Sequence, residues 1–293
     1  MPLISEVFYY KIINIFFNYF SYIRIQGFIL GGRYPGLAGH MGANGFLLTL
    51  GMGVYLGGFL IDKEKQKIKN IVFLFFISIS ILLTGSRAMI LINGFAFIIC
   101  FYLKSKNSFI EIFKKGVLLI GIIVLFISIV YMIYPQNIIN IFDRFSNGDA
   151  SIYSRFVLYS FAIELFLSRI LFGYGINTFL PLTYTNVNMG EKTYVHNVIL
   201  QLLAETGIIG SIVILIPYLV TFIYTIKVFK KSYIDYKKNI LMSLYIQIVF
   251  LLYFFTGNPI YDYNILVSYF IIISIPIYYG YKTKNYALSK ILK

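Results

Sequence analysis

Polar and apolar positions in this chain fall into long blocks rather than alternating at a short period. Apolar runs cover roughly 42–61, 70–86, 88–103, 116–134, 207–226, 240–256 and 263–281, and lysine-rich clusters separate them. Each run approaches the ~20 residues that a helix needs to cross ~30 Å of hydrocarbon. The pattern predicts an all-α polytopic membrane protein, a single membrane domain over 1–293 with about seven spans. The first 41 residues are expected to form an interfacial segment on the outer side. Their longest uncharged apolar stretch, Ile12–Ile23, lies between Lys11 and Arg24 and is short for a span, which leaves a crossing as the alternative. No cationic region precedes it, so no cleaved signal peptide is expected. Between the fourth and fifth runs lies a long connection, 135–206, expected to carry short amphipathic helices.

Composition narrows the class. The 293 residues are 59% hydrophobic and 12% charged, about half the charged fraction usual in soluble domains. A soluble enzyme is excluded. So is a disulfide-stapled domain, because Cys100 is the only cysteine and sits inside an apolar run. The net charge of +14 would fit a nucleic-acid partner if it were spread over one polar face. Instead, seventeen of the nineteen lysines cluster at 63–69, 104–115, 227–238 and 282–293, after every second run. The positive-inside rule makes these loops cytoplasmic and turns the 86–87 turn, the 135–206 loop and the 257–262 turn outward. No nucleic acid is expected as partner; membrane lipids are. The location this implies is a membrane whose cytoplasmic side carries the lysine loops.

Arginine does not follow lysine. Arg24, Arg33, Arg87, Arg144, Arg155 and Arg169 all map to the outer side or its interface. Two readings stand: snorkelling to lipid headgroups, or planar bidentate recognition of phosphate or carboxylate. Ser86-Arg87 joins two runs with no spare residues, which fixes the charge at one depth and makes it a candidate functional group. The long loop brings Arg144, then Ser154-Arg155, then an amphipathic stretch over Phe156–Leu171 and a tight turn, Phe172-Gly173-Tyr174-Gly175. Loops of this length are usually functional. Its tyrosines either stack on sugar rings or form an interfacial belt.

His196-Asn197 opens the next helix, and Glu205 follows within it. The helix N-terminus favours neutral imidazole, which suits a general base; a structural hydrogen bond is the alternative. His40 is the only other histidine, and no cluster has metal-ligand spacing, so neither metal nor cofactor is expected. The Gly-rich stretch Gly31–Gly58 lacks the spacing of a nucleotide loop. Its Gly53 and Gly57 suit close helix packing, and the loop before them adds Arg33, His40 and Asn44 as polar groups.

Taken together, Ser86-Arg87, the loop motifs Arg144…Ser154-Arg155 and Phe172-Gly173-Tyr174-Gly175, and the closing His196-Asn197…Glu205-Thr206-Gly207 resemble the O-antigen ligase and Wzy-type polysaccharide polymerase superfamily. The resemblance covers roughly 31–226. It implies a GT-C-like, metal-independent, inverting glycosyltransferase. The expected substrates are a polyprenyl-diphosphate-linked glycan donor and a glycan acceptor, with other polysaccharide-assembly proteins as partners. The product would be a surface polysaccharide: O-antigen of a lipopolysaccharide, capsule or exopolysaccharide. By resemblance, Arg87 and Arg155 hold the donor diphosphate and His196 is the base. Arg33, Asn44, Ser86, Arg144, Ser154, Asn197 and Glu205 are expected to contact substrate. Polymerase is the first expectation and O-antigen ligase the second. Family members commonly have ten or more spans against about seven here. A transporter of lipid-linked saccharides is the reading from another class; it would show paired internal repeats, and none is visible.

Overall fold

The computed structural model describes residues 33–38, 40–62, 64–104, 150–186 and 194–291, with isolated positions besides. All regular structure among the described residues is helical. In chain order the helices are α1 (Met41–Ile61), α2 (Glu64–Leu83), α3 (Arg87–Lys104), α4 (Ala150–Ser168), α5 (Phe179–Asn186), α6 (Val198–Lys231), α7 (Ile234–Tyr253) and α8 (Tyr263–Ile291). One-turn 3-10 helices sit at Gly36–Ala38 and Pro259–Tyr261. Among the described residues, five helical stretches are long and apolar enough to cross a membrane: Met41–Ile61, Gln66–Leu83, Arg87–Lys104, Val198–Lys231 and Tyr263–Thr283. The expected span at 240–256 overlaps α7, whose first turns carry Asp235, Lys237 and Lys238; that at 116–134 lies outside the described residues. The chain is an all-helical, multi-pass membrane protein. It divides into two compact units, Met1–Asn147 and Gly148–Lys293.

In the first unit, α1 packs against α2 and α3. Lipid tails are as apolar as leucine, so the helices associate through close packing and hydrogen bonds rather than hydrophobic exclusion. Gly45 supplies the closeness, since a Cβ there would lie 2.6 Å from Met89 Cγ. Thr49 supplies the bonding: its hydroxyl lies 3.0 Å from Asn93 Oδ1, while Asn93 Nδ2 donates to the Met89 carbonyl at 2.8 Å. Tyr55 stacks on Phe73 at 4.5 Å between ring centroids. Ile68 and Phe76 on α2 remain exposed, as side chains facing lipid do.

In the second unit, α6 packs on α4, α7 and α8. Its membrane part is held by a ring cluster in which Phe250 stacks on Tyr269 at 4.0 Å and Tyr218 meets both. Gln247 Nε2 donates to Thr225 at 2.8 Å. One interruption organises the rest. Gly207 sits at φ 64, ψ −169 inside α6, a conformation that side chains strongly disfavour. The expected boundary of the fifth span therefore coincides with a break inside a longer helix. The expected loop 135–206 contains α4, α5 and the first turns of α6.

Breaking a helix frees backbone groups, and at membrane depth each must find another partner. The segment after α4 provides them. Ile208 and Ile209 N–H donate to the carbonyls of Ile170 and Leu171, at 2.8 and 3.3 Å. In return, the carbonyls of Ala204 and Glu205 accept from Tyr174 and Gly175 N–H, at 3.2 and 2.6 Å. The backbones approach so closely that a Cβ on Gly207 would strike Leu171, and one on Gly173 would strike Glu205. Both glycines have φ +64.

Candidate functional site

Arg33, Asn44, Ser86 and Arg87 lie in the first unit. Thr84 and Gly85 end α2 in a tight turn, with Gly85 at φ +64, and Arg87 is the first residue of α3. Ser86 N–H donates to Thr84 Oγ1 at 3.2 Å, and Ser86 and Arg87 are half-buried. Arg33 is laid across this turn: Tyr34 N–H donates to the Leu83 carbonyl at 3.1 Å, and Arg33 Cγ lies 2.9 Å from where a Gly85 Cβ would be. The structure thus brings the Arg33 segment to the turn that precedes Arg87. Asn44 lies on the first turn of α1 against Gly36. Arg144 lies outside the described residues.

Arg155, Ser154, His196, Asn197 and Glu205 lie in the second unit. Helix α4 is anchored on α6 and α5 by Leu158, Ala162, Leu165, Phe179, Val195 and Ala204. This anchoring fixes Ser154 and Arg155 one to three turns earlier, both half-buried. The charges of Arg155 and Asp262 both act on the hydroxyl of Tyr253, at the end of α7. His196 is half-buried and adopts φ 58, with only Asn177 (φ 62) sharing the left-handed region among the described non-glycine residues. The left-handed region is costly for histidine and persists only where neighbours enforce it. Here Val195 is fully buried with its N–H toward Gln201 Oε1 at 3.4 Å, and Val198 N–H donates to the Phe254 carbonyl at 2.8 Å.

Two candidates carry bonds within the fold. Asn197 is the N-cap of α6, and its Oδ1 accepts from Leu200 N–H at 3.1 Å. His196 accordingly precedes the helix instead of opening it. Glu205 is fully buried, and its carboxylate accepts from Asn177 N–H (2.9 Å), Phe179 N–H (3.3 Å), Gln201 Nε2 (3.2 Å) and the Tyr261 hydroxyl (2.7 Å). A buried carboxylate is tolerable only with such bonding, and this one ties four pieces of chain into one corner.

The turn after α7, expected from sequence only to face outward over 257–262, is a common neighbour of the His196-Asn197 segment and Glu205. Through Phe254 it holds the residue after His196-Asn197, and through Tyr261 it bonds Glu205; the charge of Arg155 acts on its Tyr253 hydroxyl. Tyr194 adds a ring contact to Tyr261 at 5.5 Å. Burial, then the Glu205 charge and hydrogen bond, push the Tyr261 phenol well above its ordinary value, so it remains a donor. Burial raises Tyr194 as well, with smaller contributions from Glu205 and Asp262. Its signal in the sequence was weak: Asn258-Pro259-Ile260-Tyr261-Asp262 is a polar break between apolar runs. Among the described residues, no group of three or more His, Cys, Asp or Glu could hold a metal ion.

The fold and these corners define a multi-pass helical membrane protein with arginines, histidine and tyrosines gathered at helix ends. Residues 72–215, nearly half of the chain, match the family model described as O-antigen ligase. Over that stretch the chain is similar to the O-antigen ligase family. No curated protein matches the chain. Arg87, Arg155, His196 and Glu205 fall inside the match; Arg33, Asn44 and the 254–262 turn fall outside it.

Proposed function

We propose that the protein is a membrane glycosyltransferase that polymerises polyprenyl-diphosphate-linked oligosaccharide repeat units into a surface polysaccharide, on the outer face of a bacterial cytoplasmic membrane. The observation that carries this reading is one corner of the second unit, where the α4 helix bearing Arg155 packs on α6 just after the strained His196 segment, both inside the O-antigen ligase match. In this reading an acceptor hydroxyl attacks the donor's anomeric carbon with inversion. His196 takes the hydroxyl proton, and the C–O bond to the diphosphate breaks as the new glycosidic bond forms. Arg155 stabilises the departing diphosphate, and the resemblance assigns Arg87 the same role. Preorganised guanidinium donors can supply the charge stabilisation that a metal provides elsewhere. EDTA is therefore expected to leave turnover unchanged.

Lysine substitution tests the site. Arg87→Lys and Arg155→Lys keep the charge but lose the paired N–H donors. Loss of one charge-assisted hydrogen bond costs about 1.5–3 kcal/mol, roughly ten- to a hundredfold in turnover of purified protein on a lipid-linked donor. Arg169 serves as the comparison: its guanidinium stacks over Tyr174 at 4.4 Å, so lysine there should cost stability but leave turnover of the folded protein near wild type. Wild-type turnover in both variants would remove the basis for the clamp. The family description favours a second reading, O-antigen ligase transferring finished glycan to lipid A-core or another acceptor. Deletion separates the two: loss of a polymerase leaves glycan capped at one repeat unit, whereas loss of a ligase strands full-length chains on the carrier.

A further inference from the structure

The turn between α7 and α8 holds a residue whose side chain the fold does not use. Both amide atoms of Asn258 are buried without a hydrogen-bond partner, and so is the hydroxyl of Thr256 two residues earlier. Buried polar side chains nearly always find partners, so an amide with both halves unsatisfied calls for a reason. Gln247, the other amide affected, is a different case. Only its oxygen lacks a partner, while its nitrogen is bonded to Thr225 and Ser243 inside the helix core. Asn258 therefore carries a donor and an acceptor side by side, both desolvated.

The surroundings say which ligand chemistry this suits. The backbone on one side of Asn258 holds Val198, two residues beyond His196, through the Phe254 carbonyl. On the other side, Tyr261 is bonded to Glu205 and in ring contact with Tyr194. Gly257 is pressed onto the Tyr253 ring, whose hydroxyl feels Arg155 and Asp262. The turn is thus held from both ends, and its two unsatisfied side chains are neutral and sit among tyrosines. A neutral donor–acceptor pair fits a sugar hydroxyl or acetamido group better than a phosphate, which arginine would serve.

We propose that Asn258, assisted by Thr256, is a specificity-determining residue that binds a hydroxyl or acetamido group of the acceptor sugar beside His196. The proposal rests on the glycosyltransferase reading and adds to it a subsite that lies outside the matched stretch. Binding would supply the missing hydrogen bonds and set which acceptor sugar is held for attack.

The test uses full-length protein in lipid nanodiscs and a lipid-linked oligosaccharide extracted from the cells that make it. Asn258→Ala should raise KM about tenfold, the worth of one or two neutral hydrogen bonds, with kcat retained. Thermal stability should be unchanged or higher, because the substitution removes desolvated groups that nothing in the free protein satisfies. Thr256→Val, which preserves shape, should raise KM by a smaller factor and serves if Asn258→Ala does not fold. An unchanged KM with lowered stability would overturn the proposal, since a bridging water inside the fold gives that result. If wild-type protein transfers nothing, the functional reading fails; the subsite is then decided by binding of the same glycan, read by saturation-transfer NMR. Loss of that signal in Asn258→Ala supports it, and an unchanged signal overturns it.

Discussion

Two glycine-dependent regions of this molecule solve opposite problems. In α1 the glycines lie within regular helix, and neighbouring side chains, Met89 at Gly45 and Asn70 at Gly58, fill the missing volume. Around Gly173 and Gly207 the helix is abandoned, and backbone meets backbone with no side chain between. The first arrangement brings two apolar surfaces together and carries little chemistry. The second exchanges four main-chain hydrogen bonds and sets Glu205 where four donors converge on it. A glycine before a flexible neighbour is negotiable. A glycine against a peptide group is not.

The contrast is sharpest in Gly207→Ala. A Cβ there meets the Leu171 carbonyl, and the backbone conformation is itself strained for alanine, so a loss of about 3–5 kcal/mol is expected. Thermal denaturation in detergent should show it together with loss of activity; near-wild-type stability would mean that the two segments are not clasped as described. Glu205→Gln keeps the volume but turns an acceptor into a donor facing other donors. A loss of about 2–3 kcal/mol is expected, with purified protein less stable even where the helical circular dichroism signal survives.

Tyr261→Phe removes one donor to the carboxylate and should cost about 1–2 kcal/mol. It also carries a pH signature. The Tyr261 phenol is held above its ordinary value of 10.0 in the folded protein, so the unfolded chain ionises first. Stability should therefore be independent of this group below about pH 10 and fall as pH rises above it, and the phenylalanine variant should lack that part of the slope. A smaller effect than at Gly207 is expected at Gly45→Ala. Its Cβ would crowd Cγ and Cβ of the buried Met89, so α1 and α3 must ease apart, but alanine favours the helix, and a loss of about 1–2 kcal/mol should follow. Equal effects at Gly45 and Gly207 would erase the distinction between the two regions.

Much of this architecture is visible in the sequence because lipid imposes a strict code. Apolar length marked the helices Met41–Ile61, Gln66–Leu83, Arg87–Lys104 and Tyr263–Thr283. The same code placed a boundary at Gly207, where the apolar run begins, and could not show that helix continues on its polar side to Val198. Motif order singled out Glu205 but not its task. Its donors come from Asn177, Phe179 and Tyr261 as well as from Gln201 one helical turn away, and only the nearby one is visible as spacing. Asn197 was read for its neighbour His196 when its own short side chain was needed as a cap. Asn258 has no local pattern at all, because burial without a partner is a property of three-dimensional packing.

The bond from Tyr261 to Glu205 also sets an order of events during synthesis. Its two ends are 56 residues apart, and the α7–α8 turn that carries Tyr261 emerges after α6 is already threaded. Until then the carboxylate has three of its four donors, Tyr194 lacks its ring partner, and the His196 segment lacks the carbonyl that receives Val198. The corner is completed only when the last helical hairpin arrives. A chain halted before α7 leaves the buried Glu205 carboxylate one donor short.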